Sequence, residues 1–137
     1  MDFIDTNVLL YGALPAGTEP EKRDIARTVL AAREVAVSVQ VLQEFYTQAT
    51  RRTRNDRLTH EDALAVLERL VALPVQALTT ELVLAAIATC GRFRISYWDA
   101  AIIEAARALG CAVVLSEDLN DGQDYGGVRV ENPFRGC

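Results

Sequence analysis

Short apolar runs alternate along the chain with longer stretches in which apolar residues recur at helical spacing. The apolar runs predict strands at residues 1–5, 35–38, 75–78, 111–115 and 128–130. The helical spacing predicts helices at about 8–13, 21–33, 39–52, 60–73, 80–91 and 96–110. Because strands and helices alternate, we expect an α/β fold with three layers, α/β/α, around a central, mostly parallel sheet of about five strands.

Local residues indicate where several of these elements begin and end. Thr6 or Asn7 is suited to cap the first helix, and Thr59 opens a capping-box pattern before the fourth. Pro74 is expected to stop the fourth helix, and Gly110 the last one. The last helix is apolar around most of its circumference, so we expect it to be heavily buried.

Length and composition favour one globular domain over residues 1–137. The chain has 137 residues, half of them hydrophobic, which is enough for one core. No apolar run reaches the roughly 18 residues of a membrane span, and no basic segment with an apolar run opens the chain, so we expect a cytoplasmic protein without a membrane partner. The three cysteines form no CxxC pair, which gives no support to a zinc or redox motif.

The net charge of −5 argues, taken as a sum, against nucleic-acid binding. The distribution of charge is more informative, because the chain has thirteen arginines and one lysine. Four of these arginines fall within seven positions: Arg51, Arg52, Arg54 and Arg57. Two interpretations are open for them, solvated cations near a helix end and side chains that guide an RNA backbone. Divalent metal held by acidic residues would neutralise part of the negative charge.

Four acidic residues are candidates for a metal site. Asp5 closes the first predicted strand and Asp118 follows the fourth, and the carboxyl ends of parallel strands are where ligands bind. Glu44 and Asp99 lie early in helices that can face the same edge. Grouped carboxylates repel one another unless a cation binds, and hard oxygen ligands suit Mg²⁺ or Mn²⁺. Such a site can activate water against a phosphodiester, and that chemistry needs no histidine.

Each of these acids also has a purely structural explanation. Asp5 can cap the first helix, and Asp99 can form a capping box with Ser96. Glu44 can be a solvated helical residue, while Asp118 lies in a segment, 116–122, that is rich in turn formers. The order and placement of the four acids therefore carry the metal-site hypothesis.

Five segments, in chain order, resemble the motifs of the PIN-domain family of ribonucleases. They are Phe-Ile-Asp-Thr-Asn-Val at 3–8, Val-Leu-Gln-Glu-Phe at 41–45, Tyr-Trp-Asp-Ala-Ala-Ile at 97–102, Val-Leu-Ser-Glu-Asp-Leu at 114–119 and the ending at 127–134. The resemblance spans the whole chain. It implies an Mg²⁺- or Mn²⁺-dependent endoribonuclease. At this length it also implies a VapC-type toxin of a type II toxin–antitoxin system, a homodimer silenced by a small antitoxin.

The resemblance also implies roles for individual residues. The metal ligands, direct or through water, would be Asp5, Glu44, Asp99 and Asp118. The supporting residues would be Thr6, Asn7 and Ser116, with Asp121 as a further acid. Glu117 competes with Asp118, which we prefer because it matches the register of the motif. The expected substrate is single-stranded or looped RNA, since the groove of an A-form helix is hard to read.

Other functions remain as alternatives of different weight. A haloacid-dehalogenase-like phosphatase needs two aspartates two positions apart after the first strand, whereas Asp2 and Asp5 are three apart. A receiver domain needs a lysine late in the chain, and the single lysine is Lys22. A catalytically weak PIN domain that acts only as an RNA- or partner-binding module stays open.

Overall fold

The fold is described from a computed structural model, which describes residues 1–15, 17 and 19–137. Its strands are β1 (Asp2–Ile4), β2 (Val35–Ser38), β3 (Val75–Gln76), β4 (Val113–Leu115) and β5 (Arg129–Glu131). Its helices are α1 (Thr6–Ala13), α2 (Pro20–Ala32), α3 (Val39–Ala49), α4 (His60–Leu70), α5 (Thr80–Phe93) and α6 (Tyr97–Ala108). In the described residues, no helix is both long and apolar enough to cross a membrane.

The five strands form one sheet in the order β3-β2-β1-β4-β5, and every neighbouring pair is parallel. The chain moves outward from β1 through β2 to β3 and then returns to the other side of β1. Because parallel crossovers are right-handed, this reversal places α1–α4 on one face and α5–α6 on the other. The predicted three-layer α/β/α fold with a parallel sheet of about five strands is thus confirmed, and the reversal between β1 and β4 is the point where such sheets bind ligands.

The core lies on both faces of the sheet. Phe3 and Ile4 of β1 and Val114 and Leu115 of β4 are fully buried. On the far face, α6 packs against β2, β3 and β4, and all residues from 100 to 106 are buried. The predicted burial of this last helix is confirmed.

Several predicted element boundaries are wrong by a few residues. The first helix begins at Thr6 instead of residue 8, and its cap is Asp5, the structural role considered for that acid, and not Thr6 or Asn7. The third helix ends at Ala49 instead of near residue 52, because the backbone turns where Leu58 N–H returns to bond Ala49 O. The fifth helix passes through Gly91 to Phe93, and its left-handed end residue is Arg94, at φ 54°.

Candidate active site

A cavity of about 390 Å³ opens at the carboxyl edge of the sheet, beside the reversal between β1 and β4. Two arginines, Arg23 and Arg54, line it. Its acidic lining residues, among those the structure describes, are Asp5, Glu19, Glu44, Asp56, Glu117 and Asp118. Such a surplus of negative charge in a partly desolvated space favours a bound cation or protonation of a carboxylate.

Asp5 is the most deeply buried of these acids, with 6% of the residue exposed. One oxygen accepts a 2.7 Å bond from the backbone N–H of Thr6, and the other accepts a 2.7 Å bond from the hydroxyl of Ser116. Burial raises the pKa of Asp5 from 3.8 to about 6. Its two hydrogen bonds act to lower that pKa, and the charges of Asp118 and Glu44 raise it further.

Glu44 lies on the second turn of α3, next to the buried Phe45, and α3 packs against α1. Thr6 Oγ1 donates a 2.8 Å hydrogen bond to its Oε2, and Gln40 Nε2 donates a 2.9 Å bond to its Oε1. Thr6 therefore bridges two acids, since its N–H bonds Asp5 and its hydroxyl bonds Glu44. This arrangement holds the first turn of α1 against α3 at the cavity wall.

Ser116 connects the other side of the cavity to the same acid. Its hydroxyl donates to Asp5 and accepts a 3.1 Å bond from the backbone N–H of Asp118. Desolvation raises the pKa of Asp118, and so do the charges of Glu117, Asp99 and Glu44. Four of the predicted acids therefore act electrostatically on one another across the edge of the sheet.

Glu117 and Asp118 differ in whether a cation or a hydrogen-bond donor contacts their carboxylates. The carboxylate of Glu117 accepts a 2.6 Å bond from the hydroxyl of Tyr11 and forms a 2.9 Å ion pair with Lys22. Within the described ranges, the carboxylate of Asp118 has neither a hydrogen-bond partner nor an ion pair. Of the two, Asp118 is thus the acid whose charge remains available at the cavity.

Asp99 lies at the rim, because it does not line the cavity itself. Its backbone N–H donates to Ser96 Oγ over 3.1 Å, which caps α6. Its charge raises the pKa of Asp118, so its carboxylate is near enough to act on that side chain. Asp99 combines the capping position and the proximity to the acids that the sequence left as alternatives.

The residues of this cavity fit a hard divalent cation in chemistry. All of the acidic donors are oxygens, as Mg²⁺ and Mn²⁺ prefer. Asn7 Oδ1 is a further oxygen in the cavity lining that is buried and accepts no hydrogen bond from the described residues. A bound water or ion would satisfy such an oxygen. In the described part of the chain, however, no three acidic, histidine or cysteine side chains stand close enough together to hold a metal ion as placed.

Asp121 is not brought to the cavity. Its Oδ1 accepts a 2.9 Å bond from the N–H of Asn132, and its Oδ2 lies 3.2 Å from a guanidinium nitrogen of Arg135. These contacts tie the loop after β4 to the C-terminal segment. The expectation that Asp121 supports the site therefore does not agree with its placement.

Only one of the four clustered arginines lines the cavity. Arg51 and Arg52 are exposed beyond the end of α3, and Arg57 donates to the carbonyl of Arg52. Arg54 reaches the cavity and lies 3.4 Å from Asp56.

Sequence reasoning missed two side chains that line this cavity, Tyr11 and Arg23, and also Lys22, which pairs with the lining residue Glu117. Lys22 and Arg23 form a basic pair near the start of α2, where the positive end of the helix dipole disfavours cations. Two adjacent basic residues in the first turn of a helix therefore indicate that they have partners outside that helix.

The family model described as "PIN domain" matches residues 3–120 of the chain. No curated protein matches the chain.

Solved structures share the fold at low sequence identity. VapC20 of Mycobacterium tuberculosis, described as a sarcin–ricin loop cleaving toxin, is 23% identical with a TM-score of 0.68, over 86% of this chain and 92% of that one. A toxin–antitoxin complex from Klebsiella pneumoniae is 16% identical with a TM-score of 0.69, over 98% of each chain. DNA-bound VapBC from Salmonella typhimurium is 21% identical with a TM-score of 0.67, over 96% and 97%.

Proposed function

The chain belongs to the PIN domain family, and from this premise we propose that it is a metal-dependent endoribonuclease that hydrolyses RNA phosphodiester bonds with Mg²⁺ or Mn²⁺. One observation carries the proposal. The buried carboxylate of Asp5, at the reversal point of the sheet, faces the charges of Asp118 and Glu44 and has its pKa raised to about 6. Burial and mutual repulsion destabilise the ionised carboxylates of this site, and a bound divalent cation would stabilise them.

Four acids would hold the cation, directly or through water: Asp5, Glu44, Asp99 and Asp118. When bound, the ion supplies Lewis-acid stabilisation of phosphodiester oxygens and lowers the pKa of water. The chain's own contribution is orientation. Thr6 holds Glu44 and Asp5 in one arrangement, and Ser116 holds Asp5 and the backbone of Asp118. Asn7 would accept a hydrogen bond from water in the same cavity.

We further propose that the protein is the toxin of a VapBC-type pair. Its length and fold match structures described as a toxin, as a toxin–antitoxin complex and as DNA-bound VapBC. On this proposal its partners are a cognate antitoxin and a second copy of the chain in a cytoplasmic homodimer, and its substrate is single-stranded or looped RNA. Sedimentation of the purified chain, alone and with the product of a neighbouring small reading frame, tests both partners.

A second candidate is a PIN domain with weak catalysis that binds RNA or a partner. The placement of the acids favours it in one respect, because no three of them in the described ranges are close enough to hold an ion as they stand. The two candidates differ in one measurable property, the dependence of RNA cleavage on a divalent ion.

The test is cleavage of mixed single-stranded RNA with Mn²⁺, comparing wild type with Asp5→Asn. Glu68→Gln is the matched control, since it removes one exposed negative charge on α4 away from the cavity. We expect wild type and the control to cleave, and Asp5→Asn and chelated wild type to be inactive. Wild-type cleavage no faster than that of Asp5→Asn would reject the ribonuclease and leave the binding module.

A further inference from the structure

Arg23 lines this cavity, and its Nε is the one arginine Nε that the described residues both bury and leave without an acceptor. That atom is buried, and no acceptor among the described residues lies within hydrogen-bond distance. One turn later on the same helix, Arg27 Nε donates to the carbonyl of Gly12 over 2.9 Å. A buried guanidinium N–H without an acceptor is costly, and an oxygen supplied by a bound water or by a ligand would remove that cost.

The side chain of Arg23 lines the carboxylate cavity, and so does the side chain of Arg54. The ion pair of Arg54 with Asp56 is long, at 3.4 Å, and both side chains are about one-third exposed, so Arg54 retains donors for another acceptor. Two arginine side chains thus line a space of about 390 Å³, which is within the roughly 300–1,000 Å³ range of small-ligand sites.

Among the described residues, neither arginine forms an ion pair with Asp5, Glu44 or Asp118, and the ion pair of Arg54 is with Asp56. The arginines are therefore not counter-ions of these carboxylates. An elongated anion whose negative charges are separated along its length fits this division, with one charge at the acids and their cation and another at the guanidinium groups.

We propose that Arg23, assisted by Arg54, binds a backbone phosphate of single-stranded RNA next to the phosphodiester that lies at the carboxylates. This inference rests on the proposed function, because it takes RNA as the ligand of the cavity. The planar fork of arginine matches the oxygens of a phosphate in two parallel hydrogen bonds, which lysine cannot reproduce. Arg23 is then a substrate-binding residue that sets the position of the RNA relative to the acids.

Binding can be measured without cleavage in the Asp5→Asn background. The probe is a short fluorescein-labelled single-stranded RNA of mixed sequence, followed by anisotropy over a series of salt concentrations. Arg23→Gln in this background is compared with Arg69→Gln, which removes an equal charge from an exposed position on α4 outside the cavity. We expect Arg23→Gln to weaken binding roughly tenfold and to reduce the salt slope by about 0.7, the share of one phosphate contact on a single strand.

Equal affinity and equal slope in the two variants would overturn the phosphate site. Thermal unfolding of each variant checks that the fold is intact, and Arg23→Lys serves if Arg23→Gln does not fold. Lysine keeps the charge, so we expect an unchanged salt slope with affinity several-fold weaker than that of the parent, and unchanged affinity would contradict the role of the fork.

The outcome is separable from that of the ribonuclease proposal. Wild-type cleavage with no effect of Arg23 removes only the phosphate site. Arg23→Gln can instead lose RNA binding while the wild type shows no Mn²⁺-dependent cleavage. That result would reject the ribonuclease proposal and keep the phosphate site, as part of an RNA-binding module.

Discussion

The hydroxyl of Ser116 donates a 2.7 Å hydrogen bond to Oδ2 of Asp5, across 111 positions of the chain. The same hydroxyl accepts the backbone N–H of Asp118. One small side chain after β4 thus fixes the orientation of the acid that ends β1 and the path of the loop that carries Asp118. It also lowers the pKa of Asp5 against the effect of burial.

Ser116→Ala is therefore expected to reduce RNA cleavage by about 10- to 100-fold, as loss of a residue that orients metal ligands does elsewhere. It also leaves one oxygen of Asp5 without its donor, so the pKa of Asp5 rises and the pH profile of cleavage moves to higher pH. The measurement is the rate of cleavage with Mn²⁺ across pH.

Ser38→Ala is the control for this change. Ser38 is also a buried serine, but its hydroxyl caps α3 by accepting the N–H of Val41. It should cost about 1 kcal/mol of stability with cleavage and pH profile unchanged. A pH profile that moves equally in both variants would contradict the role given to Ser116.

Asp5 is expected to make the metal-free protein less stable as the pH rises. Its folded pKa of about 6 lies above the ordinary 3.8, so between these values the folded chain keeps a proton that the unfolded chain has lost. The shift corresponds to about 3 kcal/mol. From about pH 4 to about pH 7, the free energy of unfolding of Asp5→Asn should therefore rise by about 3 kcal/mol relative to wild type, measured by urea unfolding with a chelator present.

Adding Mn²⁺ at neutral pH should stabilise the wild type and not Asp5→Asn, because the ion binds only the folded acids. If the stability difference between the two chains stays constant with pH, the carboxylate of Asp5 is not destabilised by burial.

Substitutions of Glu117 and Asp118 should have different effects on cleavage and on stability. Asp118→Asn is expected to reduce Mn²⁺-dependent cleavage by about 100-fold or more with little change in stability, because its carboxylate forms no hydrogen bond or ion pair with the described residues. Glu117→Gln should keep near-normal cleavage and cost about 1 kcal/mol of stability, since the ion pair with Lys22 is lost. Cleavage rates and thermal unfolding of both variants check this, and the reverse pattern would assign the role to Glu117.

Asp121→Asn is expected to leave cleavage unchanged, and Asp99→Asn to weaken the response to Mn²⁺. Asp121 bonds Asn132 and Arg135 away from the cavity, whereas the charge of Asp99 acts on Asp118. The measurement is the Mn²⁺ concentration that gives half-maximal cleavage. A higher Mn²⁺ concentration for half-maximal cleavage in Asp121→Asn would indicate that Asp121 supports the site.

The sequence by itself determined the order of strands and helices and the positions of four acids along them. Strand and helix periodicity are set by neighbouring residues, so the buried strand that ends at Asp5 and the apolar helix that follows Ser96 could be predicted. Parallel strands bring their carboxyl ends to one edge, which is why Asp5 and Asp118 could be expected near each other.

Only the tertiary structure decided which side chains face the cavity. In loops no periodicity sets the direction of a side chain, and distant partners set it instead. Glu117 turns to Tyr11 and Lys22, which lie 106 and 95 positions away, and Asp118 is left with its charge unpaired in the described chain. In the same way, the burial of the Arg23 Nε without an acceptor among the described residues depends on how α2 packs against α1, and no pattern in the order of residues indicates it.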